Sequence, residues 1–268
     1  VFASVFSALV LFGWLVAQRI IPLDLTQIAT GLGSSILILI GLYFVYLLGF
    51  GGHDREEKRR LLVILWLFVL AAFFWSGFEQ AGSSLNLFAQ DLTDRDVFGW
   101  LMPAGFLQSV NAGMIIVFSP VFAYVWLWLV KRNSNPSTPV KFSLGLLGLA
   151  AGFFVISWGA ANATTDNLAS PSWLVVMYFF HTVGELSLSP VGLSSITKLA
   201  PKGRVGQMMG VWFVATALGN LIAGLVAGSL ATMPPFALFR TVAIITGGAG
   251  ILALLVSPGV KKLMGQVD

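Results

Sequence analysis

The 268-residue chain has room for one or two soluble domains, yet 57% of it is hydrophobic and only 10% charged, a balance that places most of its surface in lipid. The formal charge of +4 comes from Lys and Arg that do not interleave with aromatic side chains as a nucleic-acid surface requires, so nucleic acid is not an expected partner. With no cysteine, disulfides, thiolate catalysis and Cys-based metal sites are excluded.

Runs close to the ~20 residues that a membrane helix needs predict eight spans, at 1–18, 31–50, 61–89, 102–130, 142–160, 173–198, 206–230 and 236–257. The expected fold is therefore an all-α polytopic membrane protein. The chain opens directly in an apolar run, Val1 to Val16, with no initiator Met and no basic stretch before it, and so reads as a fragment rather than as a signal peptide. The first two spans meet through Pro22 and Asp24 and carry no charge in their interiors, which predicts a lipid-facing helical hairpin over 1–50. Residues 51–60 hold the densest charge run, read as a solvated linker to the six spans of 61–260.

In the third span Ser76, Glu79, Ser83, Asn86 and Gln90 recur at helical spacing and share one predicted face. The fourth adds Gln108 and Asn111. The sixth carries His181, Glu185 and Ser189, continued by Gly192 and Ser195, with Pro190 expected to bend it. The seventh offers Trp212, Thr216 and Asn220, and the four polar faces together are expected to line one aqueous chamber. Each also has a plainer reading: Ser, Asn and Gln often bond a neighbouring helix, His181 suits neutral packing as well as proton traffic, and a lone Trp212 suits core packing. Gly148/Gly152, Gly206/Gly210 and Gly224/Gly228, at four-residue spacing, predict close helix contacts.

Glu79 and Glu185 are the two acidic residues inside the spans. A charge at mid-membrane costs ~3 kcal/mol or more, so each needs a partner, a water-filled cavity or a bound proton, and each is a functional candidate by default. Metal binding is not expected, because His181 and Glu185 lack a third ligand, and no nucleophile with a base or phosphate-cradling loop supports a hydrolase. Each glutamate lies in the first helix of a set of three spans, a plan compatible with the repeats of secondary transporters. Placing connections on alternate sides puts twelve basic residues on one side and three, Arg19, Arg95 and Arg240, on the other. The basic side is the cytoplasmic one, and both ends of the chain are expected there.

Phe74-Trp75, Phe78-Glu79-Gln80, Ser83-Ser84-Leu85 and Phe88-Ala89 form a motif that resembles the seventh helix of the proton-dependent oligopeptide transporters, a branch of the major facilitator superfamily. Gly184-Glu185-Leu186, the run Leu188 to Ser194 and Lys198-Leu199-Ala200-Pro201 are similar to that family's tenth helix. The resemblance implies a C-terminal six-helix bundle preceded by the helix pair that bacterial members insert, in an inner membrane, with the N-terminal bundle absent from this chain. It implies proton-coupled symport of di- and tripeptides by alternating access, driven by the proton gradient with no cofactor. It also implies that Glu79 couples protons, that Glu185 and Asn111 hold the peptide amino terminus, and that Ser189 and Trp212 line the same pocket. Every Lys and Arg lies in a loop or near a span end, so a peptide carboxylate is expected to meet cations of the absent bundle. A proton-coupled carrier of nitrate, an amino acid or a drug is the alternative, followed by a non-transporting membrane scaffold.

Overall fold

The structure, a computed structural model, describes residues 14–15 and 24–265. In chain order it contains α1 (Leu25–Phe50), α2 (Arg55–Phe78), a 3-10 turn (Glu79–Gly82), α3 (Ser84–Asp91), strands β1 (Asp96–Val97) and β2 (Trp100–Leu101), α4 (Ala104–Lys131), α5 (Thr138–Ala160), α6 (Ser172–Leu199), α7 (Val205–Gly228), a second 3-10 turn (Ser229–Ala231) and α8 (Pro235–Met264). Among the described residues seven helical runs are long and apolar enough to cross a membrane, α2 and α3 counting as one. They correspond to the second through eighth expected spans. The first, at 1–18, lies outside the described residues except for Trp14 and Leu15, which are helical.

Helix starts follow local chemistry. Asp24 Oδ1 accepts from the backbone of Thr26 and Gln27 at 2.9 and 3.1 Å, and Asp54 Oδ1 accepts from Glu57 at 2.8 Å. The charge run is thus half loop and half helix, its second half forming the first turns of α2, where Arg60 pairs with Glu56.

The third span is not continuous. Glu79 ends α2 at ψ −1°, its N–H turned to the Gly77 and Trp75 carbonyls, and Ser83 at φ −130°, ψ −100° separates the 3-10 turn from α3. Gly77 and Gly82 flank the break, and glycine is the weakest helix former apart from proline. The five polar residues expected on one face are therefore divided among α2 (Ser76), the 3-10 turn (Glu79), the junction (Ser83) and α3 (Asn86 and Gln90).

Packing centres on α5, which lies between α6 and α8. A Cβ at Gly184 would sit 2.6 Å from the Gly145 carbonyl, and one at Gly148 would sit 3.1 Å from Gly184 Cα, so α5 and α6 approach almost backbone to backbone. Gly152 in turn receives the His181 ring. The expected contacts at Gly206/Gly210 and Gly224/Gly228 are not made: a Cβ at any of the four meets open space among the described residues. Spacing alone marks a small-residue stripe without saying what covers it.

The β1–β2 hairpin was not anticipated either. Its two-residue turn, Phe98 and Gly99, takes φ 56° and 82°, the pattern whose twist suits antiparallel strands, and Asp96 Oδ1 accepts from Gly99 N at 2.7 Å.

Gly184→Val is expected to force α5 from α6 and destabilise the intact protein by about 1–3 kcal/mol, read as a lower thermal midpoint in detergent. Gly248→Ala, where a Cβ meets nothing within 4 Å among the described residues, should not lower the midpoint.

Candidate functional site

The most developed polar cluster lies where α4 crosses α6. Asn111 Nδ2 points from α4 to α6 and donates to Thr182 Oγ1 at 3.0 Å and to Glu185 Oε2 at 3.4 Å. Thr182 is buried and passes its own proton to the Tyr178 carbonyl at 2.8 Å, which leaves its oxygen as the acceptor for Asn111. Thr182, Glu185 and Ser189 repeat at three and four residues along one side of α6. Ser189 Oγ is buried without a hydrogen-bond partner among the described residues. Such an orphaned hydroxyl, one turn from a half-buried carboxylate, can serve a bound polar ligand or water.

Glu79 is half-buried at the end of α2. No hydrogen bond or ion pair reaches its carboxylate among the described residues, and Glu185 lies within its electrostatic range. The two intramembrane acids are thus near enough to feel one another, although they come from helices distant in sequence. Beyond the break, Ser83 Oγ and Asn86 Oδ1 are buried and likewise without partners among the described residues. Gln108 of α4 lies beside Gly82, where an added Cβ would be 3.8 Å from its Nε2.

Other expected members stand apart. His181 is fully buried against Phe153 and Phe78, ring centroids 4.9 and 6.1 Å away, and faces α5 rather than Asn111. Of its two sequence readings the packing one describes its surroundings. Trp212 is 4% exposed, its indole seated on Gly192 of α6 and edge-on to Phe142 of α5 at 6.2 Å, so it packs against both helices. Asn220 lies in a groove between α1 and α7 with Thr26, Gly224 and Thr232, away from Glu185. One chamber lined by all four polar faces is therefore not what forms.

Sequence reasoning missed two residues. Thr182 stands three positions before Glu185, a spacing that could have placed it on the same face. Gln80, named only as part of a motif, is completely buried and hydrogen-bonded on both sides of the helix break. Farther along α4 and α6 a cavity of about 430 Å3 opens, lined in part by Trp126, Asn135, Lys141, Pro190, Ser194 and Lys198.

A helical membrane protein that keeps two carboxylates inside its spans, one of them met by an amide from another helix, has a functional site there by default. The family model described as the POT family matches residues 24–241. The peptide transporter YePEPT of Yersinia enterocolitica is 42% identical over 271 residues, covering 99% of this chain and 53% of that protein. The di-/tripeptide transporter of Lactococcus lactis subsp. cremoris is 31% identical, covering 87% of this chain and 48% of its own length. A solved peptide transporter of the POT group in complex with sulfate superposes with a TM-score of 0.84 at 32% identity, covering 97% of this chain and 53% of that one. A POT family transporter in complex with 5-aminolevulinic acid gives 0.83 at 27% identity over the same shares. The chain belongs to the POT family of membrane transporters and has a fold of the major facilitator type. It spans about half the length of the relatives it matches.

The Asn111–Thr182 contact is testable without reference to transport. A double-mutant cycle with Asn111→Ala and Thr182→Val, read as thermal stability of the intact protein, should give a coupling of about 0.5–1.7 kcal/mol, the range for hydrogen bonds between membrane helices.

Proposed function

We propose that the intact protein carries di- and tripeptides across a bacterial inner membrane together with protons, by alternating access, and that this chain supplies the C-terminal half of the site. In this reading residues 1–50 form an inserted helix hairpin, 51–60 a cytoplasmic linker and 61–260 the six-helix bundle. Both ends of the chain face the cytoplasm, in keeping with the skew of basic residues.

The observation that carries the reading is the convergence of Asn111 on Glu185 across the α4–α6 groove, with no cation paired to Glu185 among the described residues. A short peptide is a zwitterion, and its ammonium can supply the positive charge. Glu185 accepts hydrogen bonds from that ammonium, and Asn111, already held by Thr182, turns its amide to orient it. Ser189 offers its free hydroxyl to the same ligand, while Trp212 holds the wall at Gly192. The peptide carboxylate is met by basic residues of an N-terminal six-helix bundle, which also closes the groove. Glu79, unpaired among the described residues, holds the coupled proton. When ionised it pairs with a cation across the bundle interface and keeps a gate shut, and protonation releases the pair.

Several relatives are named di- or tripeptide transporters or permeases. The structure of a relative in complex with 5-aminolevulinic acid favours a second reading, a carrier of small amino acids, because that molecule also presents an ammonium and a carboxylate.

Two substitutions in the intact transporter separate the roles. Glu185→Gln should raise the Kd for a dipeptide about tenfold or more, the loss expected of a charge-assisted hydrogen bond. An unchanged Kd by calorimetry would remove Glu185 from the site. Glu79→Gln should abolish accumulation driven by a pH gradient in proteoliposomes while peptide exchange continues, and accumulation at the unaltered rate would reject the coupling role. Affinity for 5-aminolevulinic acid well above that for any dipeptide would favour the second reading.

A further inference from the structure

A break in a helix surrounded by hydrocarbon frees backbone carbonyls that water cannot reach, so protein groups must satisfy them. At the break in the third span one buried side chain bonds across it: Gln80, the residue directly after Glu79. Its Nε2 donates to the Ser76 carbonyl of α2 and to the Ala223 carbonyl of α7, each at 3.3 Å. Its Oε1 accepts from the Ser84 hydroxyl, at the start of α3, at 2.5 Å. One fully buried amide thus joins the end of one helix, the start of the next and the flank of a third.

A second contact fixes the same crossing. One turn before Ala223, Gly219 of α7 lies so near α2 that a Cβ would be 2.5 Å from Trp75 Cβ and 2.9 Å from the Ser76 nitrogen. Gly219 and Ala223, four residues apart on one side of α7, therefore grip the stretch of α2 that ends in Glu79 at a backbone contact and at a hydrogen bond. The register of the turn between them sets directions. A 3-10 helix advances about 120° per residue against about 100° in an α-helix, so rewinding Glu79–Gly82 to α geometry would rotate α3 relative to α2 by about 80°.

We propose that Gln80 is a positioning residue: its amide holds the helix break against α7 and thereby fixes how Glu79 projects, with the Gly219 contact as the fulcrum for α3. Gln80 touches neither substrate nor the transferred proton in this scheme and acts through Glu79. The inference rests on the transport reading above, because it takes Glu79 as the group whose aim matters.

The test uses the intact transporter in proteoliposomes. Gln80→Leu removes all three hydrogen bonds with little change in volume, and Gln80→Glu keeps the acceptor for Ser84 while removing the amide donors. For both, the KM and rate of peptide exchange should stay within about twofold, while accumulation driven by a pH gradient falls about tenfold or more, as the loss of two buried hydrogen bonds predicts. Accumulation at the unaltered level in either variant would overturn the proposal. So would a proportional fall in KM performance, exchange and accumulation, the mark of general damage to the fold. If Gln80→Leu does not fold, the same split in Gln80→Glu decides. Glu79→Gln measured alongside separates the two levels. Accumulation retained in Glu79→Gln overturns the coupling role and this proposal with it, whereas an uncoupled Glu79→Gln beside fully coupled Gln80 variants overturns this proposal alone.

Discussion

Hydrocarbon offers no hydrogen bonds, and the rest of this architecture follows from that constraint. Regular helix satisfies the backbone, and most hydroxyls inside the spans turn back on their own helix. Ser119 donates to the Ile115 carbonyl, Ser143 to Pro139, Ser187 to Val183 and Thr246 to Val242. Polar side chains that reach another helix are the exceptions. Gln80 crosses to α7, Asn111 to α6, Ser157 to the Phe236 carbonyl of α8 and Tyr43 of α1 to Gln207 of α7, while Thr138 of α5 shares a hydrogen bond with Ser195 of α6. Those of Gln80 and Asn111 lie beside an intramembrane carboxylate, and the others hold helices together away from the two acids.

The helices are not held equally. Glycine lets α5 meet α6 nearly backbone to backbone, and α8 lies along its other side, where a Cβ at Gly250 would be 3.1 Å from Leu146 Cβ. Contacts this close leave little room to slide. By contrast Leu107 is the buried residue of α4 among those described, and α4 meets α6 through the Asn111 cluster and a ring contact between Phe118 and Phe179 at 5.5 Å. A ligand that draws on Asn111 or Glu185 therefore acts on the attachment of α4 as well as filling a groove. On the function proposed above, ligand binding and helix packing would share the same hydrogen bonds, which is what a conformational equilibrium needs in order to respond.

The spans were legible because length and apolarity report directly on the solvent, and the seven described ones all fall where the sequence placed them. Glu79, Asn111 and Glu185 were legible for the complementary reason, since polar groups in greasy segments stand out. The break after Glu79 was not, because hydropathy is blind to whether a segment winds as an α or a 3-10 helix, and a stripe at helical spacing assumes the continuity it is used to infer. The same limit explains His181, which shares a stripe with Glu185 on paper but is one turn away and about 40° around the helix, enough to face α5 instead of α4. Gln80 was hidden by its neighbour: a neutral amide beside a glutamate attracts no attention until the carbonyls it satisfies can be seen. Glycine spacing separated candidates for close contact from the rest of the chain but could not tell Gly148, pressed against Gly184, from Gly210, where a Cβ meets nothing within 4 Å among the described residues.

The charge arrangement leaves one requirement. Lys198 ends α6 thirteen residues beyond Glu185, or about 20 Å along the helix. At an effective dielectric of ~20 a lysine at that distance gives Glu185 less than about 1 kcal/mol. Holding a charge in the membrane interior costs ~3 kcal/mol or more. Lys198 therefore does not offset that cost, and one amide donor at 3.4 Å from Asn111 does not close the gap. Glu79 lacks even that donor among the described residues. A proton on the carboxyl, or a cation brought from outside these helices, is what the energetics ask for at both positions. A coupled carrier of protons and ammonium-bearing substrates would supply the two in turn.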